Sequence, residues 1–133
     1  MLEHGTFTQE EQENIFIFSL IGEFNEQGIT ACLNAQKKAI ESFGDKECFI
    51  LIDSTKQTGA TPEAYQAVNR YYRDLNYPHL AAIAIVHDSY ALARLHERDI
   101  PEMQRHNTKT LPDRESAIEW LIAQTKNKEN QHS

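Results

Sequence analysis

Three short segments dominate this chain: Asn14–Ile21, Cys48–Ile52 and Leu80–Val86. Each is apolar at successive positions rather than at every other one, and each is too short for a buried helix. A strand with this pattern is covered on both faces, which calls for a sheet sandwiched by other elements. The segments between them follow a helical period instead. After Asn25, a capping residue, the apolar positions are Ile29, Cys32, Leu33, Ile40 and Phe43, broken by the polar Gln36 and stopped at Gly44. From Pro62 to Leu75, residues Ala64, Tyr65, Val68, Tyr72 and Leu75 form one stripe. Strands alternating with helices imply right-handed crossovers and a largely parallel sheet.

The rest of the chain extends this plan. Thr6-Phe7-Thr8 is a weak first strand and Gln9–Glu13 a polar turn, so the sheet opens with a hairpin. Asn76-Tyr77-Pro78 breaks the second helix. Ser89 can cap a third helix carrying Ala91, Leu92 and Leu95, interrupted at Ile100-Pro101. A short strand at Lys109-Thr110-Leu111 leads to Asp113, the cap of a last helix with Ala117, Ile118, Leu121 and Ile122 inward and Trp120 on the flank. The expectation is one α/β domain over residues 1–124: a mixed, mostly parallel sheet with an N-terminal hairpin and four helices. Residues 125–133 read as a disordered tail.

Composition narrows the function classes. At 133 residues, with 40% apolar and 25% charged residues, the chain can bury a core without staples. No apolar run reaches bilayer-spanning length, and Met1-Leu2-Glu3-His4-Gly5 lacks the order of a secretory signal, so a cytoplasmic location is expected. Cys32 and Cys48 fit buried free thiols. The net charge of −7 is uneven: residues 1–64 hold 11 acids and 4 bases, residues 65–133 hold 9 of each. Overall acidity argues against nucleic acid as a partner. Arg94, Arg98 and Arg105 form at most a local basic face, more simply a solvated one.

The stretch from Cys48 to Ala64 is the richest in candidate site residues. The strand ends at Asp53, and Ser54–Ala60 reads as a hydroxyl-rich loop that Gly59 leaves free to move or approach an anion. Thr61-Pro62-Glu63 opens the next helix. A loop at the carboxyl end of a parallel strand is where ligands and regulatory groups tend to sit. Thr61 is the first candidate phosphoacceptor or anion-binding residue, although capping alone explains it; Ser54, Thr55 and Thr58 follow. His87 and Asp88 should share the edge with Asp53 and Asp113, with turn formation as their simplest role. Tyr65 and Tyr72 read as core, while Tyr71 at the stripe's margin is a candidate pocket or interface residue. His79, His96 and His106 make no metal-ligand pair. Neither a catalytic set nor a cofactor motif is present.

Several of these segments also resemble a known family. Ile15–Gly22, Phe49-Ile50-Leu51-Ile52-Asp53, Thr61-Pro62-Glu63-Ala64, Leu80–Val86 with His87-Asp88-Ser89, and Asp113–Leu121 are similar to the STAS fold, the sulfate-transporter and anti-sigma-factor-antagonist domain. The likeness runs from about Thr6 to Gln124 and is nearest to the small stand-alone, anti-sigma-antagonist-like proteins. It implies a regulatory or ligand-sensing module rather than an enzyme, with no cofactor. In phosphorylated antagonists a serine at the helix start accepts phosphate from a partner kinase; here that helix start carries Thr61 before proline, and Asp53-Ser54 lies at the strand end. The resemblance therefore implies a protein partner, a kinase or regulatory factor, or a small apolar or anionic ligand. It also allows peripheral membrane contact and a homodimer.

Overall fold

A computed structural model describes residues 3–89 and 98–132, with side chains in the last helix described to Thr125. Five strands form one sheet in the order β1-β2-β3-β4-β5: β1 (Thr6–Gln12), β2 (Ile15–Phe24), β3 (Cys48–Ala60), β4 (Leu80–Val86) and β5 (Thr108–Leu111). β1 is antiparallel to β2, and every later pairing is parallel. The described helices are α1 (Glu26–Ser42), α2 (Pro62–Asp74), α3 (Arg114–His132) and a 3-10 turn at Pro101–Arg105. None is long and apolar enough to cross a membrane.

The alternating side chains of the strands build two cores. On one face Phe16, Phe18, Ile50, Ile52, Ile83 and Ile85 meet α1, α2 and the 3-10 turn. On the other, Ile17, Phe49, Leu51, Ala82, Ala84 and Val86 meet Ala117 and Leu121 of α3. The two-faced apolar pattern of the strands thus has its expected cause: both faces are covered. Cys32 and Cys48 are buried and free, and burial pushes each thiol up to about 11.

The ends of the helices follow the local chemistry. Asn25 Oδ1 accepts from Gly28 N at 2.9 Å, Thr61 Oγ1 from Ala64 N at 3.2 Å, and Asp113 Oδ1 from Ser116 N at 2.8 Å. Asn25 Oδ1 also accepts from His4 N at 3.0 Å, tying the N-terminal segment across the start of α1. There Gly28 is required by space, since a Cβ would run into the carbonyl oxygen of His4.

Three elements run further than their composition suggests. β1 takes in the polar Gln9–Gln12, and the hairpin turns at Glu13-Asn14 with Glu13 at φ 55°. β3 does not end at Asp53 but runs to Ala60, pairing with β2 as far as Phe24↔Ala60. α3 continues to His132, past the point where composition alone suggests a tail. The helix expected after Ser89, with Ala91, Leu92 and Leu95, lies outside the described residues, as do Arg94 and His96.

Candidate functional site

Parallel pairing brings the strand exits to one rim. Asp53 is in register with Ser19 on β2 and with Val86 on β4, and His87 N donates to Leu111 O at 3.0 Å beside the start of α3. Asp53, His87 and Asp113 therefore share one end of the sheet, as the topology read from sequence requires.

At this rim β3 carries two bulges, one between Asp53 and Lys56 and one between Gln57 and Gly59. Each gives β3 a residue more than β2, and bulges re-aim side chains. Asp53, Thr55 and Lys56 border a groove on the α3 side of the sheet, whereas Ser54 and Gln57 line a cavity on the α2 side. The Ser54–Ala60 segment is thus a bulged strand rather than a loop. Gly59 pairs with Glu23 inside it, and a Cβ there would meet only ordinary contact with Glu23 Cγ at 3.8 Å, so no special freedom is used.

Asp53 is the hub of the α3 side. Its Oδ1 accepts from Thr55 N at 3.0 Å and Thr55 Oγ1 at 2.7 Å, and its Oδ2 from Arg114 Nη2 at 3.0 Å. Arg114 also reaches Ser19 Oγ at 3.0 Å and Glu10 Oε2 at 3.2 Å, so one guanidinium joins β1, β2 and β3 to the first turn of α3. Burial pushes the Asp53 carboxyl up, but the Thr55 hydroxyl and amide and then Arg114 outweigh it and hold it below 3.8. A carboxylate so saturated with donors is a weak proton acceptor, which suits it to fastening the rim rather than to base catalysis. Glu10, Ser19 and Arg114 carry no local signal in the sequence, because folding alone brings them to Asp53.

His87 lies behind this rim and is buried. Burial lowers its pKa below 6.5, against the pull of Asp88 and Asp53 upward, so the folded protein holds it neutral at pH 7. The unfolded chain therefore takes a proton first as pH falls through 6.5. Stability carried by neutral His87 is present above that pH, is lost as pH drops toward the lower folded value, and levels off beneath it. His87→Asn is expected to flatten the fall in unfolding midpoint between about pH 7 and pH 5, leaving the later loss from Asp53 near its own lower range. Urea unfolding of both proteins across that range measures it. An unchanged slope would remove His87 from the acid response.

The other sequence candidates separate by exposure. Ser54 is 3% exposed, beyond the reach of a kinase in the folded protein, while Thr58 is exposed and Thr61 half-buried at the start of α2. Asp88 is exposed. Tyr71 is 7% exposed and packs edge-on to Tyr72 at 5.4 Å, so it belongs to the core and not to an interface. Tyr65 is the half-buried one and lines the cavity. Arg98 and Arg105 pair with Asp99 and Glu102, which takes the charge from the supposed basic face. His79 and His106 meet the carbonyls of Ile40 and Tyr72 and serve packing. Among the described residues, no group of three metal-ligating side chains converges.

Comparison with known proteins now places the fold. No family model matches the sequence, and no curated protein does. Solved structures do match over nearly the whole chain. An uncharacterised DUF3478-family protein with a SpoIIAA-like fold from Shewanella loihica PV-4 superposes with a TM-score of 0.64 at 17% identity, covering 91% of this chain and 96% of that one. An anti-sigma factor antagonist from Mycobacterium paratuberculosis gives 0.63 at 14% identity, covering 86% and 92%. The anti-sigma factor antagonist SpoIIAA in its unphosphorylated form gives 0.63 at 13%, covering 88% and 98%. The chain has the SpoIIAA-like, STAS-like α/β fold.

Proposed function

We propose that this protein is a non-catalytic regulatory module that docks on a protein partner through the rim formed by the end of β3 and the start of α2. The observation that carries this reading is the placement of Thr61. It closes the β3 extension through Thr61 N to Phe24 O at 2.9 Å, caps α2 and stands half-buried beside the exposed Thr58. A phosphate on that hydroxyl would add about −1.5 to −2 charge at a helix start, changing the docking surface without altering the fold. Two of the matching solved structures are anti-sigma factor antagonists, one of them described in its unphosphorylated form. The partner is accordingly a regulatory factor or a kinase, and Thr61 is the proposed phosphoacceptor with Thr58 as the neighbouring alternative.

The test compares Thr61→Glu with Thr61→Ser in affinity capture by the full chain. The glutamate variant is expected to hold the captured partner at least tenfold more weakly, and the serine variant within twofold. Equal capture by both would remove the switch from this position.

A second reading, a carrier or sensor of a small ligand, has its own observation. A cavity of about 60 Å³ lies between the sheet and α2, walled by Leu20, Ile29, Ile52, Ile85, Tyr72 and Met103 among others. Whole-ligand pockets usually measure about 300–1,000 Å³, so a lipid chain would not enter without displacement of α2. A guest of a few heavy atoms fits better. Native mass spectrometry of freshly purified protein would report a retained guest as added mass, and a bare mass would count against carriage.

A further inference from the structure

The sheet ends on two unlike edges. β5 offers four residues, whereas β1 offers seven, Thr6–Gln12, paired on one side only, with β2. Its register is unbroken from Thr6↔Ile21 to Gln12↔Ile15, and no proline interrupts it. Asn14 O accepts from Phe49 N, so the even residues of β2 turn their backbone groups to β3 and the odd ones, Ile15 to Ile21, turn theirs to β1. Their partners Gln12, Glu10, Thr8 and Thr6 are therefore engaged, and Phe7, Gln9 and Glu11 turn N–H and C=O outward. Among the described residues no backbone group meets them there. Natural edges are blunted by shortness, a bulge, proline or charge. This one carries only charge, and of one sign: Glu10, Glu11 and Glu13, with no lysine or arginine between Thr6 and Glu13. Glu10 is shared with Arg114, while Glu11 has no ion-pair partner among the described residues.

We propose that this edge takes an extended, basic segment of a partner protein as a further strand, running antiparallel to β1. Main-chain bonds to Phe7, Gln9 and Glu11 supply the affinity, and side chains the choice of partner. Glu10 and Glu11 point to opposite faces of the sheet, so each calls for its own cation, on two consecutive residues of the incoming strand. Phe7 is half-buried against the core, with its ring 6.3 Å from that of Phe18, and favours an apolar residue opposite it. A second copy of this chain fits worse, because two β1 edges laid together would gather the carboxylates of both. Neither Thr58 nor Thr61 belongs to this edge, so it stands or falls separately from the rim.

Fluorescence anisotropy of a labelled peptide, Thr-Lys-Lys-Val-Thr-Ile-Thr, titrated with the full chain at low ionic strength tests this directly; its lysines fall opposite Glu11 and Glu10 and its isoleucine opposite Phe7. Saturable binding is expected, roughly tenfold weaker when both lysines are replaced by glutamate and roughly threefold weaker with Glu11→Gln. Methylation of the peptide's fourth backbone nitrogen, opposite Gln9, removes a bonded N–H and is expected to weaken binding roughly tenfold. Methylation of the fifth, which points away from β1, is expected to weaken it less than about threefold. Both modifications leave the protein itself untouched, so a loss of binding cannot come from misfolding. Absence of binding, equal effects of the two methylations, or equal binding of the glutamate peptide would overturn strand addition. A peptide copying Thr6–Gln12 that binds as tightly as the lysine peptide would make a second copy the occupant and overturn the basic partner.

Discussion

Phe18→Ala is expected to lower the unfolding free energy by about 3–5 kcal/mol, a large part of what a domain of this size possesses. Phe18 is fully buried at the centre of β2, in register with Gln9 on one side and Ile52 on the other. Its ring lies 6.3 Å from that of Phe7, so it joins the hairpin edge to the core beneath α1 and α2. Truncation removes the transfer free energy of the ring and leaves a void that the surrounding β-branched strands cannot close. Urea unfolding with an unchanged slope and a lowered midpoint is the expected signature. A loss below about 1 kcal/mol would mean that Phe18 is not central to the packing.

Leu121→Ala is the second large effect, expected to cost about 2–5 kcal/mol. Leu121 and Ala117 are the fully buried contacts of α3 with the second sheet face, and Ala82 and Ala84 on β4 make room for that helix to lie close. Arg114 fastens the other end of the same helix to Asp53, Ser19 and Glu10, but at a partly exposed site where such pairs contribute modestly. Hydrophobic contact, not the ion pairs, should therefore decide whether α3 stays docked. Hydrogen exchange is expected to rise most in α3 and along Phe49–Leu51 in the variant, and least in α1 and α2. Uniform exchange throughout would show that the two faces do not respond separately.

The parallel core was legible because its signal is local: Ile15–Phe18, Phe49–Ile52 and Ala82–Val86 are apolar at every position, which only a doubly covered strand explains. Caps were equally plain at Asn25, Thr61 and Asp113, where one side chain and the amide three residues on suffice. The extension of β3 was not legible. Backbone pairing with Gly22–Phe24 holds Gln57–Ala60, while their side chains carry the polar composition of a loop and two bulges break the alternation. The second half of β1 is equally hidden, since an edge strand with solvent on its outer side can be written Gln-Glu-Glu-Gln. Tyr71 is core although it lies outside the apolar stripe, because α2 contacts both α1 and the 3-10 turn, which widens its buried arc.

The rim was legible only as a location. That Asp53 and His87 share an end follows from parallel topology, and parallel topology follows from the strands. The charge partner of Asp53, Arg114, lies 61 residues on, and the Ser19 hydroxyl that the same guanidinium reaches is set by register; the residues announce neither. Gln36 was visible as an interruption in a stripe. Its consequence, a polar group facing a cavity opposite Ser54, needed coordinates because Ser54 turns inward only at the bulge.

The proposed regulatory role requires one surface, the end of β3 with the start of α2, to be the face that meets a protein partner. Site-specific photo-crosslinking in the full chain tests this most directly, with the photoreactive residue placed at Thr58 on that rim or at Asp45 on the turn leading into β3, at the other end of the sheet. The expected result is a discrete protein adduct from position 58 that weakens in the Thr61→Glu background, and none from position 45. An adduct from position 45 alone would contradict the assignment.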